Sequence, residues 1–179
     1  MWQSEAMIPT RIDDIDWSTW KAEMRATEVL VVRDGQILLI RKKRGLGAGK
    51  INGPGGRLEP DESVEACGVR EVQEELCVTP TGVVWMADHR VQFVDGLTIH
   101  LDVFRADDIR GVPTETAEAE PHWFALDQIP YHEMWADTRL WIPWLLADRR
   151  CSGRFVFDGD TLLDHALRPT DRTGPSELP

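Results

Sequence analysis

Glu71, Glu74 and Glu75 stand at i, i+3 and i+4, a spacing that places three carboxylates on one face of a helix with 3.6 residues per turn. Three like charges that close repel one another, by a few tenths of a kcal/mol or about that per pair on an isolated helix. A cation should offset the repulsion. A hard divalent ion is the natural partner, because Mg²⁺ prefers carboxylate and water oxygens and is usually shared with substrate phosphates. Arg70 lies one turn before Glu74 and can orient it by a charge-assisted hydrogen bond. The plainer reading is that glutamate-rich helix faces are common and simply solvated. The three carboxylates alone do not separate the two.

A helix from about Ser63 to Leu76 must carry these groups, with Asp61 or Ser63 near its start, Glu65 in the first turn, and Val69, Val72 and Leu76 as the core-facing stripe. Before it, Val29–Val32 and Gln36–Ile40 flank Asp34-Gly35, a two-residue hairpin signal. Residues 41–56 contain six glycines and read as a long loop. After the helix, 83–94 and 97–104 form a second hairpin around Asp95-Gly96, and His122-Trp123-Phe124 a further short strand. A second helix is predicted over 133–149, kinked or restarted by Pro143, and 153–167 closes the domain with a turn at 158–160. Residues 1–25 form an N-terminal extension in which Trp17 and Trp20 could dock onto the body. The domain proper covers 26–168, and 169–179 is a polar tail. Many strands and two helices predict an α+β domain with helices covering its sheet.

The string Gly56 to Val78, GRLEPDESVEACGVREVQEELCV, resembles the box of the Nudix superfamily. Gly56, Glu62, Arg70, Glu71, Val72, Glu74, Glu75 and Val78 fall on its fixed positions. One position departs: Cys77 replaces a glycine that would end the helix with positive φ, which implies a strained or altered ending. The resemblance implies a Nudix fold, an α/β/α sandwich with a mixed β-sheet between helices. It also implies a loop–helix–loop holding Mg²⁺, with Mn²⁺ as a substitute, through the carbonyl of Gly55 and the side chains of Glu71, Glu74 and Glu75. Such ions polarise a bridging oxygen and activate water. A further acid from a later loop often joins them, and Glu118 fits that place, an ordinary loop carboxylate being the alternative.

Three other segments are similar to the oxidized purine nucleoside triphosphate hydrolases, which act as 8-oxo-dGTP diphosphatases. They are 42–49, 52–56, and 123–130 with 134–137; the ending 155–164 matches as well, so the likeness runs from about Thr27 to Leu167. It implies hydrolysis of an oxidized purine triphosphate to monophosphate and pyrophosphate, and a role in nucleotide-pool sanitation and DNA repair. Trp135 becomes the base-stacking residue; Asn52, Asp137, Thr138, Lys42 and Thr27 become substrate-binding residues. Physically, Trp135 offers a flat apolar partner worth roughly 1–3 kcal/mol. Asp137 can accept from base N–H groups or cap a helix, and Asn52 both donates and accepts. Arg41-Lys42-Lys43-Arg44 is the densest basic run, either a patch for a triphosphate or a solvated charge run. Where the family carries two adjacent aspartates, this chain has Asp137 and then Thr138, whose hydroxyl could donate to a base carbonyl. Leu46 stands where a phenylalanine is frequent. Other substrates of the superfamily, such as methylated purine triphosphates, dinucleoside polyphosphates and nucleotide sugars, stay open, as does a sensor that binds without cleaving.

Composition narrows the partners. A formal net charge of −11 repels a nucleic-acid polymer at long range, while a phosphorylated small molecule needs only local cations. No run approaches the roughly 18–20 apolar residues of a membrane span. Residues 1–14 lack the apolar stretch of a secretory signal. Cys67, Cys77 and Cys151, at unrelated spacings, read as reduced, mostly buried thiols of a cytoplasmic protein, as monomer or dimer.

Overall fold

Alternation of apolar residues builds the centre of the molecule first. In the computed structural model, which describes residues 8–176, β1 (Met24–Arg33) turns through Asp34-Gly35 into β2 (Gln36–Lys42). Both turn residues have positive φ, 51° and 73°, the left-handed geometry that matches strand twist. The strands pair antiparallel with Arg33 opposite Gln36. β1 begins five residues earlier than its apolar run, because Met24 to Val31 pair in parallel with the central strand β6 (Thr98–Ala106). β5 (Val84–Phe93) and β6 form the second expected hairpin, with a register shift between Trp85 and Ala87.

β9 (Cys151–Asp158) lies parallel to β5, and β10 (Thr161–Pro169) returns antiparallel to β9. At the other edge β2 pairs with the short β3 (Ile51–Asn52) and with β8 (Ala119–Ala125). The mixed sheet therefore has eight strands in the order β10-β9-β5-β6-β1-β2-β3, with β8 also on β2. β4 (Thr79–Thr81) and β7 (Asp108–Arg110) make a separate two-stranded ribbon that the sequence pattern does not announce. Three residues give too short a stretch for periodicity.

Each face of the sheet carries one helix, as an α/β/α sandwich requires. α1 (Val64–Leu76) covers one face through Cys67, Val72 and Leu76 against Val29, Val31 and Phe104. Val69, expected in this stripe, is only half-buried; its place is taken by Gly68, where an added Cβ would come 2.9 Å from Val29. α2 (Thr138–Leu146) covers the opposite face with Trp141, Ile142 and Leu145. It is shorter than the predicted 133–149, since 131–133 form one 3₁₀ turn and Met134 is extended at ψ 174°. The helix restarts at Thr138 and accommodates Pro143 in its interior.

The flanking segments lie against this body. Trp17 is buried, and Trp20 donates its indole N–H to Gln92 Oε1 at 3.1 Å. Ile12 N bonds Asp164 Oδ2 at 3.0 Å. From the tail, Arg172 sits 3.4 Å from Asp88 and over the Trp85 ring, and the carbonyl of Ser176 accepts from Arg25 at 3.3 Å. The parts of the extension and tail at 1–7 and 177–179 lie outside the described residues. Among the described residues, no helix is long and apolar enough to cross a membrane.

Candidate active site

Helix α1 starts where a side chain can satisfy its first amides: Ser63 Oγ accepts from Ala66 N at 3.1 Å. It ends at Cys77, which holds φ 58° and ψ 28° and donates its N–H to Gln73 O. The thiol-bearing residue thus adopts the left-handed ending that glycine adopts freely. Cys77 is exposed and free, whereas Cys67 and Cys151 are free and buried.

Between these ends the three glutamates occupy different environments. Glu74 is more than half exposed, Glu71 is 14% exposed at its side chain, and Glu75 only 1%. Desolvation raises the carboxyl pKa of both Glu71 and Glu75, with Arg70 opposing it at Glu71 and Lys42 at Glu75. Arg70 does more than orient Glu74. Its guanidinium forks onto Glu62 at 2.8 and 3.0 Å, and its Nη1 donates to Glu71 at 2.8 Å and to Glu74 at 3.1 Å. The same fork holds the Glu62 carboxyl down at about 2. Glu75 accepts from Gly55 N at 2.9 Å and from Lys42 Nζ at 3.2 Å. Side-chain cations therefore already offset the repulsion that the spacing implies.

The glycines before α1 are needed for close approach. A Cβ at Gly55 would collide with the Thr27 carbonyl, and one at Gly56 with the Glu71 carboxylate. Gly55 thereby lies against Glu75, with its amide turned to the carboxylate. Among the described residues, no three acidic, histidine or cysteine side chains are gathered closely enough to hold a metal ion as they stand. The donor set nevertheless suits one: hard oxygens on one helix face, two of them desolvated, beside a backbone that only glycine lets approach. Glu118 is not brought to this set. Its carboxylate pairs with Arg44, although its loop is tied to the end of α1 by Thr116 Oγ1, which donates to Glu75 O at 2.9 Å.

The basic run is not an open patch. Arg41 pairs with Glu133 at 2.6 Å, Lys43 with Glu115 at 2.5 Å, and Arg44 with Glu118. Lys42 alone of the four lines the cleft that opens beside α1 on the α2 face of the sheet. Trp135, Asn52, Asp137, Gly55 and Gly56 line the same cleft, and Gly55 and Lys42, both bonded to Glu75, join it to the acidic helix. The Trp135 ring stands edge-on to Phe93 and Phe157 at 6.0 and 5.7 Å, with Lys50 Nζ 5.0 Å from its centroid. The Asn52 amide makes no hydrogen bond to the described residues. Trp141 belongs to the core, as its apolar neighbours imply, but also donates its indole N–H to Asp137 Oδ2 at 2.9 Å.

Asp137 stands at the N-cap position of α2 and yet makes no side-chain cap bond, so capping does not compete with ligand binding there. Burial pushes its carboxyl up to about 6. Two of the expected substrate-binding residues have their hydroxyls engaged within the protein. Thr138 lines the cleft, but its Oγ1 donates to the Trp135 carbonyl at 2.7 Å, so its proton closes the turn into α2 and is not offered to a base carbonyl. Thr27 also lines the cleft, but it is buried and its hydroxyl meets Cys67 Sγ at 3.4 Å.

The charged side chain that β1 sends into the cleft is Glu28, which the sequence pattern alone did not single out. Alternation sets Met24, Ala26, Glu28 and Leu30 on the cleft face. A charged residue on an otherwise apolar period-2 stripe was the available signal. Glu28 Oε1 accepts from Gly53 N at 2.7 Å, and burial raises its carboxyl to about 7, with Asp137 and Glu75 adding to the rise.

Comparison with known proteins agrees with this geometry. The family model described as the NUDIX domain matches residues 23–145. The chain is 43% identical over 144 residues to the oxidized purine nucleoside triphosphate hydrolase of Danio rerio, covering 79% of this chain and 92% of that protein. It is 39% identical over 149 residues to the protein of the same name from Mus musculus, covering 81% and 94%. Among solved structures, the mutator MutT protein of Bacillus halodurans superposes with a TM-score of 0.73 at 27% identity, over 80% of this chain and 97% of that one.

Proposed function

The chain belongs to the NUDIX domain family and is a hydrolase of nucleoside triphosphates, and from that premise we propose that it converts oxidized purine triphosphates such as 8-oxo-dGTP to monophosphate and pyrophosphate. One observation carries the reading. The cleft that holds Trp135, Asn52 and Asp137 is continuous with Lys42, Gly55 and Gly56 at the carboxylate helix. A nucleotide whose base lies on Trp135 would bring its phosphates to the acidic face.

Residue roles follow from placement. Trp135 stacks on the purine, and Asn52 and Asp137 hydrogen-bond its edges. Lys42 sits between Glu75 and the cleft and neutralises phosphate charge. Glu71, Glu74 and Glu75, with the carbonyl of Gly55, would hold Mg²⁺ or Mn²⁺, and Glu118 would join them on release from Arg44. The bound ion supplies charge neutralisation at the cleaved phosphoanhydride and a more acidic water. Arg70, tied to Glu62, keeps Glu71 and Glu74 aligned. Burial of Glu75 and its bond to Gly55 N fix the third carboxylate without rotamer freedom. Water cleaves the bridge between the α and β phosphorus atoms: its hydroxyl goes to one phosphorus and its proton to the bridging oxygen that leaves on the other, giving monophosphate and pyrophosphate.

Three free thiols, one of them exposed at Cys77, suit the reducing cytoplasm. There the enzyme would cleanse the nucleotide pool and so spare DNA repair. The test is kcat/KM with Mg²⁺ on 8-oxo-dGTP, 2-hydroxy-dATP, a methylated purine triphosphate, normal triphosphates and a dinucleoside polyphosphate. We expect pyrophosphate release and a preference of about tenfold or more for an oxidized over a normal purine. Preference for the dinucleoside polyphosphate, or binding without pyrophosphate release, would overturn the reading.

A further inference from the structure

We infer that Glu28 is a specificity-determining residue of the base pocket, its free carboxyl oxygen accepting a hydrogen bond from an N–H group of the purine. The inference rests on the nucleotide-binding reading above but names a residue that reading does not need.

The hydrogen-bonding groups left facing the base are few. Thr138 spends its hydroxyl on the Trp135 carbonyl, and Asp137 spends one oxygen on the Trp141 indole. Beside the Lys42 and Arg57 cations, what remains at the cleft is the second oxygen of Asp137, the Asn52 amide and Glu28. Glu28 Oε1 is taken by Gly53 N at 2.7 Å, while Oε2 has no hydrogen-bond partner among the described residues. Holding the loop at Gly53 needs one neutral acceptor, which a glutamine would supply. A carboxylate in this wall is costly unless something satisfies its second oxygen. Neither cation that lines the cleft does so: Lys42 Nζ is bonded to Glu75, and Arg57 makes no hydrogen bond to Glu28 among the described residues. Gly53 fits this arrangement closely: a Cβ there would lie 2.6 Å from Glu28 Oε1 and 2.6 Å from Leu30.

Two carboxylates and one amide make an acceptor-rich pocket. Its complement is a purine that carries N–H donors on more than one edge. A 2-amino-6-oxopurine oxidized at C8 has them at N1, at the 2-amino group and at N7. An unsubstituted purine has none.

Glu28→Gln separates recognition from support. The amide oxygen keeps the bond to Gly53 N, so the loop stays in place, but the group then presented to the base is a donor. The measurement is the Kd of 8-oxo-dGMP and of unsubstituted purine deoxyribonucleoside monophosphate, by calorimetry without metal, for wild type, Glu28→Gln and Glu28→Leu. We expect wild type to prefer 8-oxo-dGMP, and both variants to cut that preference by about tenfold or more. A preference that stays within about threefold of wild type in Glu28→Gln overturns the inference, as does a wild type with no preference. Should Glu28→Leu fail to fold, Glu28→Gln decides alone. A shifted preference without hydrolysis of any oxidized purine triphosphate would sink the proposed function and leave Glu28 standing. Hydrolysis with an unmoved preference would do the reverse.

Discussion

Glu74 and Glu75 differ by one position and by almost complete burial, and the difference shapes what their removal should do. Glu74 is exposed and its carboxylate pairs with Arg70, so Glu74→Gln removes charge at little structural cost. Glu75 anchors Gly55 and Lys42, so Glu75→Gln also leaves a half-buried ammonium with a neutral partner. Each should lower kcat by about 10² or more with the fold retained, read as pyrophosphate release and checked by circular dichroism. Activity of both variants within threefold of wild type would refute the carboxylate-helix assignment. Trp135 poses a different question, because its ring also packs on Phe93 and Phe157. Trp135→Ala should lower kcat/KM on purine triphosphates by about one to two orders of magnitude through lost stacking. Inorganic triphosphate, which has no base, should lose far less. Equal losses on the two would mean that the indole supports the fold and not the substrate.

At the level of elements, the end of α1 carries a local conflict. A non-glycine residue in the left-handed region is disfavoured by about 1 kcal/mol relative to glycine, and Cys77 occupies it without burying its side chain. Cys77→Gly should therefore raise the thermal midpoint by about 2–4 °C, since little packing is lost. Unchanged or lowered stability would show that the thiol has contacts worth more than the backbone strain. The start of α2 shows the opposite economy. Thr138 closes its turn with a 2.7 Å bond to the Trp135 carbonyl, which fixes both the helix start and the indole that precedes it. A residue chosen by sequence logic for the ligand serves the element that presents the ligand's platform.

Across the whole molecule, buried titratable groups act in opposite directions on stability. His89 is fully buried between Trp141 and Phe155, with neither ring nitrogen hydrogen-bonded to the described residues, and burial lowers its pKa from 6.5 to about 4. The unfolded chain thus binds this proton more readily than the native one between those values. Stability gained from a neutral His89 is full above pH 6.5 and falls as pH drops to 4, by at most the order of 3 kcal/mol. Glu28 and Asp137, raised to about 7 and about 6, have the opposite sign: their contribution is greatest near pH 4 and is lost as pH rises through those values. The two trends partly mask each other in the wild type. His89→Leu isolates one of them. Its thermal midpoint relative to wild type should climb steadily as pH falls from 6.5 to 4 and stay level above pH 7. A difference independent of pH would mean that His89 is protonated or hydrated in the native protein.

The acidic face of α1, its Ser63 start and its strained Cys77 end were legible in the sequence because they are set by neighbours within four residues. Helical spacing and capping are local, and the chain states them directly. The Asp34-Gly35 hairpin and the alternation of β1 belong to the same class, and that alternation already places Glu28 on the face opposite Thr27. What only the tertiary structure decided depends on pairs far apart along the chain. Arg41 meets Glu133 and Lys43 meets Glu115, so a run that reads as an open cationic patch is largely neutralised, leaving Lys42 in the cleft. Parallel pairing of β1 with β6 fixes β1 in the sheet so that one side of it faces the cleft, and α2 brings Asp137 to the cleft that Glu28 also lines. Hydrogen bonds that occupy Thr138, Asp137 and Glu28 on one side leave specific atoms free on the other. Residue types alone fix how many bonds a side chain can make, and only the fold decides which of them are already spent.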